Sequence, residues 1–221
     1  MTHDKNCIIC GKTLKYEAQS TPQKCEICNS TVISNAICID SHFVCDTCHS
    51  QGTASLTSLF LKSSEKSPIK LIQHAFNLPE IHMHGPEHHI IVPFTLLTAY
   101  YNNGGKIDLQ SSLPEAYSRA KQVPGGTCAY WGVCGASAGA GIYASIVTES
   151  TPLNTSIWHL PQILTSVISA KIAEMGGPRC CKRTSSIAII EAIKFTEEYL
   201  NIFLPIETIH CSFSDQNNEC I

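Results

Sequence analysis

The chain has 221 residues, 43% hydrophobic and 15% charged, which is enough apolar material for one ordinary core plus a small appended module and excludes a disordered chain. Fifteen basic against eighteen acidic residues leave a net charge of -3 and no extended basic stripe, so no nucleic-acid partner is expected. No apolar run approaches the roughly 20 residues of a membrane helix, and the opening Met1-Thr2-His3-Asp4-Lys5 lacks a signal-peptide layout; the expectation is a cytoplasmic protein without membrane contact.

Thirteen cysteines would suit a disulfide framework in a secreted protein, but here many are grouped as Cys-x2-Cys pairs, the pattern of reduced thiolates on metal. The first four groups are Cys7-x2-Cys10, Cys25-x2-Cys28, Cys38-x3-His42 and Cys45-x2-Cys48. Eight ligands are the number needed for two closed tetrahedral zinc sites. From Cys25 to Cys48 the spacing resembles the first six ligands of RING-type cross-braced domains, with Cys7 and Cys10 upstream in place of the final pair. Crossed pairing, first with third and second with fourth, competes with a sequential arrangement. His49, next to Cys48, competes with His42 for the eighth position. Few apolar residues surround these ligands, so metal binding must provide most of the module's folding free energy.

From Thr53 onward apolar residues recur at helical spacing: Leu56, Leu59 and Phe60, then Ile69, Ile72 and Phe76 behind the Ser67-Pro68 start signal. Further helices are expected over about 86–102, 113–122, 135–148, 154–174 and 182–201, with only a short extended segment near 207–213. The fold class expected is mostly α: a small N-terminal cross-braced, RING/treble-clef-like zinc module over residues 1–52, then an all-α helical domain over 53–221 with a His/Cys candidate site. Within it, Gly135-Ala-Ser-Ala-Gly-Ala-Gly141 puts three glycines into one helix. Each costs roughly 1 kcal/mol there, so close approach of another backbone or of a ligand is required.

Three constellations in the helical domain could carry chemistry. The segment Ile81-His82-Met83-His84-Gly85-Pro86-Glu87-His88-His89 offers His82, His84 and His88 as ligands of one ion, and Glu87 as ligand, orienting group or general base. The glycine-rich loop Gly125 to Gly135 carries Cys128 and Cys134 into a helix N-terminus, where the dipole favours thiolate; Cys134 is the candidate nucleophile or metal ligand. Gly176-Gly177-Pro178-Arg179-Cys180-Cys181-Lys182-Arg183 places adjacent thiols among cations, surroundings that favour thiolate and attract anions, so Cys180, Cys181 and Arg183 are candidate cofactor contacts. With Cys211 and Cys220, these thiols supply enough sulfur for an iron–sulfur cluster.

The Cys-x2-Cys head with Cys38, His42-Phe43-Val44-Cys45-Asp46 and Cys48-His49, then Gly132-Val133-Cys134-Gly135-Ala136, then Gly177-Pro178-Arg179-Cys180-Cys181-Lys182-Arg183, resembles an uncharacterised prokaryotic domain-of-unknown-function family over nearly the whole chain. The resemblance implies that the domain occurs alone or fused to radical-SAM or methyltransferase domains, mostly in anaerobes; it names no reaction. This chain has neither a Cys-x3-Cys-x2-Cys motif nor a glycine-rich SAM loop, so no fused partner's activity is transferred. Two functions are expected to compete. One is a metal- or thiolate-dependent, iron–sulfur-capable active site in the helical domain, holding a third metal beside two zinc ions in the head. The other is a zinc-binding adaptor that docks a partner enzyme or ligand without catalysis of its own. The partner is an unknown small molecule or protein in either case.

Overall fold

The structure is a computed structural model that describes residues 7–217 and 219–221. Met1-Thr2-His3-Asp4-Lys5, read above for an export signal, lies outside the described residues. The architecture is mostly α, a small cross-braced Cys/His head followed by a helical body, as the sequence leads one to expect. Among the described residues no helix is long and apolar enough to cross a membrane.

The head is built on an antiparallel hairpin, β1 (Leu14–Lys24) and β2 (Thr31–Cys38), with Leu14 opposite Cys38 and Lys24 opposite Thr31. Neither strand was expected. Most of β1 and the first half of β2 are exposed on both faces, so the period-two alternation that betrays a strand is missing. An isolated hairpin is marginal in water. Here each arm ends at a cysteine, Cys25 just after β1 and Cys38 at the last position of β2. The head's apolar cluster is correspondingly small: Cys25, Phe43 and Cys45, with Val44 and Cys48 packed against it.

A four-residue helix, α1 (Asp46–His49), leaves the head, and a 3-10 turn (Gln51–Ser55) leads into α2 (Leu56–Lys62). The body follows as α3 (Pro68–Phe76), α4 (Glu87–Asn102), α5 (Leu109–Ala120), the short α6 (Thr127–Tyr130), α7 (Gly135–Val147), α8 (Leu160–Met175) and α9 (Cys181–Leu200). Ser67 caps α3, its hydroxyl accepting from the Lys70 N–H, with Pro68 in the first turn as the sequence indicated. Helix α5 starts earlier than expected because Asp108 caps it. Helix α8 starts later, because Asn154 spends its side chain on a preceding turn through the Ser156 and Ile157 amides. Residues 207–213 form no strand.

Helix α4 is the axis of the body, buried from Glu87 to Tyr100 and flanked by α3, α5, α7 and α9. Pro93 within it has no N–H to give the His89 carbonyl four residues back. Helix α7 approaches at that carbonyl. A Cβ at Gly139 would lie 2.8 Å from the His89 oxygen and 3.0 Å from Pro93 Cδ, and one at Gly135 would collide with the His89 ring. On the other side, a Cβ at Gly141 would meet Thr165 of α8 at 2.5 Å. The three glycines therefore answer to helix packing on two faces, with α7 pressed between α4 and α8.

Candidate metal centres

The first two Cys-x2-Cys pairs close tight knuckles of the same form. Gly11 donates to the Cys7 carbonyl at 2.7 Å, and Asn29 donates to that of Cys25 at 2.9 Å. Gly11 and Asn29 both have positive φ, at 73° and 60°, which is why glycine and asparagine follow the second cysteine of each pair. Two four-donor groups result, Cys7, Cys10, Cys38 and His42 in one and Cys25, Cys28, Cys45 and Cys48 in the other, with all donor atoms of a group within 4.8 Å of one another. The pairs are thus grouped first with third and second with fourth, the crossed arrangement. Cys10 Sγ lies 3.5 Å from Cys38 Sγ and Cys28 Sγ 3.7 Å from Cys45 Sγ, close to the roughly 3.8 Å edge of a tetrahedron with metal–sulfur bonds of about 2.3 Å. His42 Nδ1 is 3.3 Å from Cys10 Sγ, so His42 and not His49 is the donor grouped with Cys7, Cys10 and Cys38.

Electrostatics within the second group favour a cation. The Ser30 hydroxyl and N–H lower the Cys28 thiol to about 6, whereas burial beside Cys28, Cys45 and Cys25 pushes Cys48 up to about 12. Four sulfurs this close cannot all be thiolates unless positive charge sits among them.

His49, freed from the head, turns to the body. Its Nδ1 lies 3.1 Å from Glu87 Oε2, while His82 Nδ1 lies 3.2 Å from Oε1 and the His82 backbone N–H donates to that same oxygen at 2.9 Å. The two imidazoles meet edge to face at 4.6 Å between ring centres. These three residues form a third group of ligand atoms within 4.8 Å of one another. Glu87 is 0% exposed at the start of α4, and Gly85 must be glycine because a Cβ there would run into the carboxylate. Burial acts to raise the Glu87 carboxyl, yet the hydrogen bonds from His49 and His82 hold it well below its ordinary value. Burial likewise opposes charge on His49, and Glu87 outweighs it and raises the imidazole.

Other contacts seat the head around this junction. Asp46, on the same turn as His49, accepts the Gly125 N–H at 2.6 Å. The Arg179 guanidinium lies 4.8 Å over the Tyr16 ring of β1, and the Tyr130 hydroxyl donates to the Glu17 carbonyl at 3.4 Å.

The remaining expected site residues stand differently. His82, His84 and His88 do not converge on one ion: among the described residues, His84 and His88 belong to no three-donor group. Once Pro86 starts α4, His88 turns inward, its Nδ1 donating to the Gly85 carbonyl at 3.2 Å and its ring tilted against Phe76. Burial pulls it down to about 3. His84 Nε2 lies 3.7 Å from Glu219 Oε2, and burial lowers its pKa to about 4.

Nor, among the described residues, do Cys128, Cys134, Cys180 and Cys181 gather into a three-donor group, with or without Cys211 and Cys220. Cys134 and Cys180 are the N-caps of α7 and α9, and the Cys180 sulfur accepts the Arg183 N–H at 3.5 Å. The expected thiolate character fails at two of these thiols because desolvation outweighs the nearby cation and helix end. Burial raises Cys128 and pushes Cys181 up to about 12 despite Arg179. Arg183 braces its own loop, its Nη2 donating to the Gly176 and Pro178 carbonyls at 3.1 and 2.8 Å. Two grooves of about 480 Å³ lie elsewhere on the body, one lined by Arg119, Gly141 and Thr165 and the other by Leu59, Lys70 and His74.

The junction triad was missed because His49 lies 38 residues before Glu87 and already had a tempting local role beside Cys48. No curated protein and no solved structure matches the chain. Residues 56–221 match a family of unknown function, a span that contains both the Gly132–Ala136 and Gly177–Arg183 motifs but stops short of the head, so the likeness covers the body rather than nearly the whole chain. By that match the chain belongs to the family of unknown function DUF5714.

Proposed function

We propose that this protein is a two-zinc metalloprotein in which the head, residues 1–52, is a structural zinc module and the helical body, residues 53–221, does the chemistry, with its metal-dependent working site at the junction between them. The observation that carries the head's role is the closure of eight ligand side chains into two separate four-donor groups. Thiolate and imidazole ligands suit zinc, and a group of four cysteines and a group of three cysteines with one histidine are both closed sites with no position left for substrate. The head's small apolar cluster supports a structural role, since zinc then provides the folding free energy.

The adaptor reading has an observation of its own. Ile9 and Ile27, inside the two knuckles, and Ile33 on β2 are 45%, 48% and 64% exposed, apolar surface of the kind a docking module presents. The junction favours catalysis because a charged carboxylate buried between two imidazoles is costly to keep for stability alone.

Metal analysis of the full chain tests the head. Two zinc equivalents should be tightly held, and Cys28→Ser should lose one of them. A head that stays folded, with the hairpin amides protected from exchange, in fully chelated protein would sink the structural role.

A further inference from the structure

We infer that head and body together build a third metal site, in which a divalent first-row transition ion is held by His49 from α1, His82 from the loop before α4, and Glu87 from the first turn of α4. The inference rests on the proposed zinc head, because His49 directly follows Cys48 and is delivered by a helix whose N-cap is Cys45.

The geometry is that of a ligand set. One donor atom from each residue lies within 4.8 Å of the other two, and each imidazole Nδ1 stands 3.1 or 3.2 Å from one Glu87 oxygen, close to the roughly 3.3 Å separating two ligand atoms on an ion with bonds of about 2.0 to 2.1 Å. The carboxylate offers one oxygen to each imidazole and is itself fixed by the His82 N–H, an outer-shell restraint typical of metal ligands. None of these three residues is among the head's eight donors. Two nitrogens and a carboxylate suit zinc or iron(II) rather than magnesium or calcium, which prefer oxygen throughout. Three protein ligands leave a coordination position for water or substrate, as catalytic sites do. Access exists on the imidazole side: the His49 and His82 side chains keep 18% and 22% of their exposure while Glu87 has none.

The competing arrangement is a metal-free His–Glu–His clamp that merely ties head to body. Full-length protein is purified anaerobically, equilibrated with zinc or iron(II), desalted, and assayed for metal per chain. Wild type should hold one equivalent beyond the two of the head. Glu87→Gln and, independently, His82→Gln should each lose that one equivalent and keep two, while His84→Gln, in the same loop but outside the triad, keeps all. Cobalt(II) substitution separates the sites, because the head gives sulfur-to-cobalt charge-transfer absorption and the junction, with nitrogen and oxygen ligands, does not. A wild type saturating at two equivalents with full charge-transfer absorption overturns the third site and leaves the head reading intact; fewer than two, with weak charge-transfer absorption, overturns the head instead. Should Glu87→Gln lose helical circular dichroism, His82→Gln decides; a folded His82→Gln retaining the extra equivalent refutes the site.

Discussion

Replacing Gly139 by alanine sets two effects of opposite sign against each other. Helix propensity alone makes Gly→Ala in a helix interior worth about 1 kcal/mol of added stability. The packing of α7 on α4 opposes it: the new methyl would lie 2.8 Å from the His89 carbonyl oxygen, 3.0 Å from Pro93 Cδ and 3.3 Å from Val92 Cβ. The oxygen is backbone and the proline ring is rigid, so relief requires the two helices to move apart, and overpacking of this kind costs typically 1–3 kcal/mol. With the apolar contacts of a buried seam opened as well, the net expectation is a loss of about 1–2 kcal/mol. Gly141→Ala serves as the internal control. Its methyl meets only Thr165 Oγ1 at 2.5 Å, with the Pro161 carbonyl oxygen at 3.6 Å, and Thr165 can rotate away at the cost of its 2.8 Å bond to that carbonyl, a cost of about 0.5–1.5 kcal/mol that roughly cancels the propensity gain. Urea unfolding at fixed free zinc, followed by far-UV circular dichroism, measures both. A Gly139→Ala protein as stable as wild type or more so would refute close approach at the His89 carbonyl.

Chelation should strip the head's two zinc equivalents, detectable with a chromogenic chelator, and melt the head while the body's helical signal persists, since the head holds only the four-residue α1; collapse of the whole helical signal would show that body and head are one folding unit. Tyr143→Phe should cost about 0.5–1.5 kcal/mol, a modest loss because Thr196, 2.7 Å from the hydroxyl, still donates to the Ala192 carbonyl; a loss above about 3 kcal/mol by urea unfolding would contradict that reserve bond. Lys182 is 2% exposed, bonded to the Phe76 carbonyl at 3.0 Å and placed 4.2 Å over the Phe213 ring, and burial lowers it to about 8. Its unfolded value is higher, so the unfolded chain binds the proton in the window from about 8 to 10.5 and stability rises with pH there. Relative to Lys182→Met, wild type should gain about 2 kcal/mol between about pH 7.5 and 9.5, and a pH-independent difference would refute the buried charge.

Local rules located most of the body. Ser67-Pro68 starts α3 because cap and first-turn proline act within one turn, and the glycine spacing of α7 announces a tight seam because glycine is costly inside a helix that lacks one. The crossed ligand pairing was legible as one of two options, since Cys-x2-Cys fixes a knuckle but not which knuckles share an ion. The head's strands were not legible, because most of their side chains face water and leave no periodicity to read. The histidine cluster misled for a different reason. Extended-chain geometry puts His82 and His84 on one side, but the turn at Gly85-Pro86 sends His84 toward Glu219 and tucks His88 under Phe76, and His49 takes the place beside His82 that only tertiary structure could assign. Cationic neighbours misled about Cys181 in the same way: sequence shows Arg179 nearby but not the burial that overrules it.

Two of the contacts that join the head to the body come from a single helical turn. Asp46 and His49 both sit on α1, three residues apart, and reach the body at Gly125 and at Glu87. That turn is framed by Cys45 and Cys48, both donors of the second head group. A helix of four residues has no stability of its own in water, so whatever holds Cys45 and Cys48 together also holds Asp46 and His49 in register. Zinc in that site would therefore do more than fold the hairpin: it would set the position of an imidazole ligand 38 residues away in sequence from its carboxylate partner, and loss of the ion would release His49 from Glu87. On this view the head is the part that completes the junction, and a body expressed without it keeps its helices but lacks one of the three donors around Glu87.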